Sequence, residues 1–270
     1  MDDVTTVAGP VALALLGMAY AVGVHRAWSV AGRGRIVRVE QVGAFAAGVL
    51  SLAIASIGPL DARAHGSLTA HMAQHVILLM VAAPFLVAGA CVPALLWALP
   101  GAVRPRGQRA WRAIVRSHAG LGWMVWTAGA VVFQTAAMWV WHLPAPFELA
   151  LRQPLVHGLE HLSFVTTAML FWWAVAAGRR DRLGAAVIAV FIAALPGTGL
   201  GAALTFANHP WYPSYAGAGA LADQQMAGVV MWSIGGFAYV VAAAVLFARW
   251  MSGLERSLPP GSFARVGVGR

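Results

Sequence analysis

Cysteine occurs once, at Cys91, and lysine not at all. One cysteine excludes an internal disulfide and a C-x-x-C metal or redox pair. Any metal held by this chain must therefore rest on histidine, methionine, carboxylate or backbone oxygen. Charge is scarce as well: 10% of the 270 residues are Asp, Glu, Lys or Arg, where a soluble domain carries about 25%. With 60% apolar residues, this balance excludes an ordinary soluble domain and points to a polytopic membrane protein. The net charge of +9 comes from arginines that lie between the apolar runs, where topology signals belong. No RNA- or DNA-binding motif accompanies them, so no nucleic-acid partner is expected. The opening MDDVTTVAGP has no basic n-region and reads as a short acidic tail rather than a cleaved leader.

What is present is a set of long apolar runs. A bilayer requires about 20 apolar residues per helix, and seven stretches qualify: roughly 8–24, 41–60, 68–92, 120–142, 155–176, 184–206 and 221–248. The expected fold is thus all-α, seven transmembrane helices in one domain over 1–252, followed by a disordered tail over 253–270. The motif 195-LPGTGLG-201 predicts a kink or local unwinding in span six. The segment 91-CVPALLWALP-100 is too short to cross and reads as re-entrant or interfacial. Four arginines lie between spans one and two, five between three and four, three between five and six, and four after span seven. Only Arg63 and Arg152 fall in the other links. The positive-inside rule then predicts an outside N-terminus and a cytoplasmic C-terminus in a bacterial-type cytoplasmic membrane, with the lipid bilayer as first partner.

On that topology seven of the nine histidines fall at the outer level, and five of them border or enter the spans. His71 and His75 open span three, His142 closes span four, and His157 and His161 open span five. Residues i and i+4 share one helix face, so His71/His75 and His157/His161 form two pairs, each about a turn inside an apolar run. Ionisable groups in a span are costly and face the bundle interior, and imidazole is the commonest metal ligand. These pairs, with Asp223 at the start of span seven, form a candidate ligand set for a transition metal. Glu160, Gln74 and Gln224 are candidates for supporting it, and Asp223 equally suits a helix N-cap. His65 and His209, in loops, read as solvated. Imidazole alone does not choose among zinc, copper, iron and nickel. Met72 and Met226 could assist Cu(I), although methionines in such a chain are ordinarily packing residues. An interhelical polar network without a metal is the plainer reading of the pairs.

The strings 71-HMAQH-75 followed by an apolar run with Pro84, 141-WHLPAPFELAL-151, 157-HGLEHLSFVTTAMLFWW-173 and 222-ADQQMAGVVMW-232 together resemble the CtaG-type cytochrome c oxidase assembly family associated with caa-type oxidases. The resemblance spans about residues 40–250. It implies a metallochaperone or assembly factor rather than an enzyme, handling copper for the catalytic subunit of a haem–copper oxidase, with a copper donor protein upstream. Such an oxidase holds its copper on histidines within the membrane. The resemblance carries His71, His75, His142, His157, His161 and Asp223 as the functional residues. Rival classes are an intramembrane zinc-dependent hydrolase of the ceramidase or adiponectin-receptor type, a haem-binding protein with histidines opposed across two spans, and a metal transporter.

Overall fold

The computed structural model describes residues 2–119, 122–178 and 180–257, and among them there are helices and connecting loops but no strands. In lipid every backbone N–H and C=O must be paired within the chain, and long apolar runs achieve this as helices. Among the described residues seven helices are long and apolar enough to cross a membrane: Gly9–Ala31, Val39–Ala64, Leu68–Ala88, Gly122–Trp141, Pro154–Ala176, Leu183–Thr205 and Ala220–Gly253. The chain is a multi-pass membrane protein, and the seven expected spans are all there. The first helix already begins at Asp2, so the acidic opening is helical rather than a separate tail. The last helix continues to Ser257, past the expected boundary at 252. The rest of the expected disordered tail, from 258 on, lies outside the described residues.

The local unwinding expected in span six is not there: Leu183–Thr205 is one continuous helix through Pro196. Gly201 serves close packing instead. A Cβ added to Gly228 of span seven would lie 2.5 Å from the carbonyl oxygen of Gly201, and one added to Gly201 would lie 2.9 Å from that of Gly228. Small residues let membrane helices approach backbone to backbone, and that is what these do.

The irregular turns lie elsewhere. In span three, Leu68–Ile77 passes into a π-helical turn over Leu78–Ala82 before Ala83–Ala88 resumes. Pro84 supplies the cause, since it offers no N–H to the preceding turn and its ring crowds the carbonyl four residues back. The Leu79 carbonyl is met by the indole N–H of Trp172 at 3.0 Å, so the distortion leaves it paired. Span seven has a second π-helical turn over Val230–Ile234, just before Gly235 and Gly236. A cavity of about 40 Å³ lies between the two, bordered by Leu79 and Met80 on one side and Met231 and Gly235 on the other.

The short segment after span three is the helix Cys91–Ala98. It packs on span one, where a side chain on Gly23 would collide with the Ala94 carbonyl. Arg26 closes its far end by donating to the carbonyls of Ala98 and Leu99 at 2.8 and 3.2 Å. The five arginines between spans three and four lie on a separate helix, Arg104–Ser117, none of whose residues is buried.

Candidate functional site

Span three is anchored at its N-terminus before any histidine is reached. Ser67 caps it, its hydroxyl accepting from Ala70 N at 3.3 Å. The Asp223 carboxylate from span seven then accepts from Leu68 N (2.6 Å), Thr69 N (3.2 Å), the Thr69 hydroxyl (2.6 Å) and the Ser67 hydroxyl (3.0 Å). This is a helix cap supplied by a different helix. It neutralises free N–H groups and the positive end of the dipole, and it sets the rotation that turns His71 and His75 inward. Both are buried, at 1% exposure.

The pair on span five faces them. The ring centroids of His71 and His157 are 5.4 Å apart, those of His75 and His161 5.5 Å, and those of His157 and His161 4.2 Å. One nitrogen each of His71, His157 and His161 can come within 4.8 Å of the others, and so can His71, His75 and Glu160. Glu160 has no exposed surface; one carboxylate oxygen lies 3.5 Å from His75 Nε2.

The hydrogen-bond pattern shows which atoms are free. The Tyr215 hydroxyl donates to the Ala64 carbonyl at 2.6 Å, so its one proton is committed. The His71 Nδ1–H then donates to the phenolic oxygen at 3.2 Å, which leaves the His71 Nε2 lone pair facing the cluster. Burial, together with the Asp223, Glu160 and Glu148 carboxylates, pushes the Tyr215 phenol up, so it stays a neutral donor. Among the buried side-chain atoms without a hydrogen-bond partner are His71 Nε2, both His75 nitrogens, His157 Nε2, His161 Nε2 and both Glu160 oxygens. Leaving one such atom unpaired costs about 1–3 kcal/mol. A structural polar network would hydrogen-bond these groups to each other, and the approach of His75 Nε2 to Glu160, at 3.5 Å, is too long for that. Each of these five residues instead turns a ligand atom into one of two overlapping sets, His71 with His157 and His161, and His71 with His75 and Glu160, and donors of this type fit a transition metal.

His142 stands at the edge of this cluster. Its Nδ1–H donates to the Met138 carbonyl at 2.7 Å, and its Nε2 lies 3.2 Å from Met72 Sδ. Its ring is 5.4 Å from that of His75. Above the cluster lie Phe147 of the helix Pro144–Arg152 and the loop carrying Tyr212 and Tyr215. Tyr212 donates to the His142 carbonyl at 2.8 Å. Glu148 ties this loop down by accepting from Ser214 N and Oγ at 2.9 and 2.6 Å. Burial alone would raise the Glu148 carboxyl, but the bonds from Ser214 and Arg152 outweigh it and hold the group below its usual value.

The structure thus gathers His71, His75, His157, His161 and His142, with Glu160 among them rather than behind them. It does not bring in Asp223, whose oxygens are committed to span three. Gln74 points the other way, its amide donating to the Ala55 carbonyl and to Asp61 at 2.5 and 2.9 Å. Gln224 fastens the covering loop, accepting from Trp211 N at 2.6 Å and donating to the His209 carbonyl at 3.2 Å. Tyr215 has no counterpart in the sequence reading, because a tyrosine in WYPSYAG carries no signal of a histidine partner. Partners that fix a ligand's tautomer typically contribute about 10–100-fold in metal affinity. Tyr215→Phe should therefore weaken metal binding by about that factor, read by competition with a chelator of known affinity, while the helical content by circular dichroism stays unchanged.

Compared with known families, residues 18–253 match the family described as cytochrome c oxidase caa3 assembly factor (Caa3_CtaG). No curated protein and no solved structure matches the chain.

Proposed function

This chain belongs to the cytochrome c oxidase caa3 assembly factor family, and from that membership we propose that it binds copper as cargo on the histidines of spans three and five and passes it to the catalytic subunit of the oxidase. One observation carries this: buried nitrogen and carboxylate atoms of His71, His75, His157, His161 and Glu160, without hydrogen-bond partners, gather in two overlapping three-residue sets at the ends of two facing spans. An assembly factor has to release what it holds. His157 and His161 are only half-buried, and Leu155, Leu159 and Leu162 beside them face outward. The accessible side of the cluster is therefore the lipid-facing side of span five. An acceptor subunit docked there could take the ion by exchange of one histidine nitrogen for another, with no change in oxidation state. The arginine distribution supports placing the cluster at the outer face of a bacterial-type cytoplasmic membrane, N-terminus outside, within reach of a copper donor protein.

The spacing supports a single ion over a haem. The rings of His71 and His157, which would grip a macrocycle from two sides, are 5.4 Å apart, with Phe147 packed against His71. Zinc is the serious competitor, because Glu160 beside three histidines is also a donor set for hydrolytic zinc chemistry.

The test is metal analysis of the detergent-purified protein by mass spectrometry, beside the copper content of the oxidase from cells with and without it. Copper in the protein and copper-poor oxidase in its absence support the proposal. Stoichiometric zinc, or an oxidase equally rich in copper either way, would overturn it.

A further inference from the structure

We infer that Met72 and His142, together with His75, form a Cu(I) subsite distinct from the nitrogen-only set of His71, His157 and His161. The inference rests on the copper reading above and specifies the oxidation state and the ligand type.

His142 gives its Nδ1–H to the Met138 carbonyl at 2.7 Å, so in the neutral ring the Nε2 atom carries a lone pair. That lone pair faces the Met72 sulfur at 3.2 Å, and a thioether has only lone pairs to offer. Two acceptors thus confront each other with no hydrogen between them, inside the protein, with Met72 at 0% and His142 at 2% exposure. A second proton on His142 would resolve the clash only by burying an uncompensated charge. A soft cation shared by nitrogen and sulfur resolves it without one.

A third ligand stands ready. His75 lies three residues after Met72, on the same helix face, with its ring 5.4 Å from that of His142. Both its nitrogens are buried and without hydrogen-bond partners, the Glu160 oxygen standing 3.5 Å from Nε2. Thioether plus imidazole is a Cu(I) set, whereas zinc is held by thiolate, imidazole or carboxylate. The surroundings continue the same chemistry. The cavity between the two π-helical turns reaches His75 and His142 and is lined by Met80, Met138 and Met231. The Met138 sulfur faces the Gly197 side of it, 3.6 Å from where a Cβ on that glycine would sit. The ligand cluster is therefore graded, with nitrogen and carboxylate toward span five and thioether toward spans four and seven.

The experiment is copper K-edge X-ray absorption on the full-length protein in detergent, loaded with Cu(I) under anaerobic conditions, for the wild type and Met72→Leu. Leucine keeps the apolar volume, so the fold is retained; matched melting curves check this. The wild type should show a sulfur scatterer that Met72→Leu lacks. The substitution should weaken Cu(I) by at least the roughly 10–100-fold that even an outer partner of a ligand contributes, and leave Zn(II) affinity unchanged. Bound copper with only nitrogen and oxygen scatterers overturns this inference and leaves the copper reading standing, as does equal weakening of Cu(I) and Zn(II). A wild type that takes up no Cu(I) overturns both.

Discussion

Replacing His71 and His75 together by leucine should abolish copper binding and leave the metal-free protein no less stable. The first half follows from ligand loss, and affinity should fall by more than the about 100-fold that even a supporting partner can contribute. Both rings are buried, and three of their four nitrogens have no hydrogen-bond partner. In the metal-free state they contribute desolvation cost without a compensating bond. Leucine fills a comparable volume with apolar atoms, so the metal-free variant should melt at the wild-type temperature or above it. Copper at 100 times its Kd should stabilise the wild type by about 2.7 kcal/mol and the variant not at all. Paired melting curves with and without Cu(I) check both halves. A variant that melts well below the metal-free wild type would mean the histidines are a structural polar network after all.

Asp223→Ala should do the opposite, lowering stability while copper stoichiometry holds. The carboxylate accepts four hydrogen bonds from the first turn of span three and its cap. Hydrogen bonds to a charged group are worth about 1.5–3 kcal/mol each and a helix cap about 1. The Ser67 hydroxyl remains to cap the helix in part, so a net loss of about 2–4 kcal/mol is expected. It should appear as a lower melting temperature. Copper per protein, measured at saturating metal, should stay at the wild-type value. If Asp223 were a ligand, stoichiometry would fall first, and stability only in step with it.

These three residues also mark how far the sequence could be read. The spans were legible because each is a long apolar run, and the inward histidines were legible because two i,i+4 pairs must each share a face. Glu160 was legible too, in retrospect: it lies three residues after His157 and one before His161, on the same stripe. Asp223 was not. An aspartate at the start of a span looks the same whether it caps its own helix, binds a metal or, as here, caps a neighbour. The choice depends on which helix end lies beside it, and that is a tertiary fact. The prolines were ambiguous for the same reason. Pro196, among glycines, sits in an unbroken helix, while Pro84 follows a π-helical turn whose Leu79 carbonyl is met by Trp172, 93 positions away in the chain.

The π-helical turn in span three separates two halves that would otherwise rotate as one. A wide turn takes up one residue more than an α-turn does, and one residue is about 100° of helix azimuth. Above it are Met72 and His75, aimed at span five and His142; below it are Ala83 and Leu86, packed against the bundle's lower core. Each half thus keeps its own heading. In a plain α-helix, the heading that packs the lower half would swing the histidines about a quarter turn off the ligand cluster. The extra residue is a phase correction, and it lets one segment serve as scaffold at one depth and as ligand donor at another.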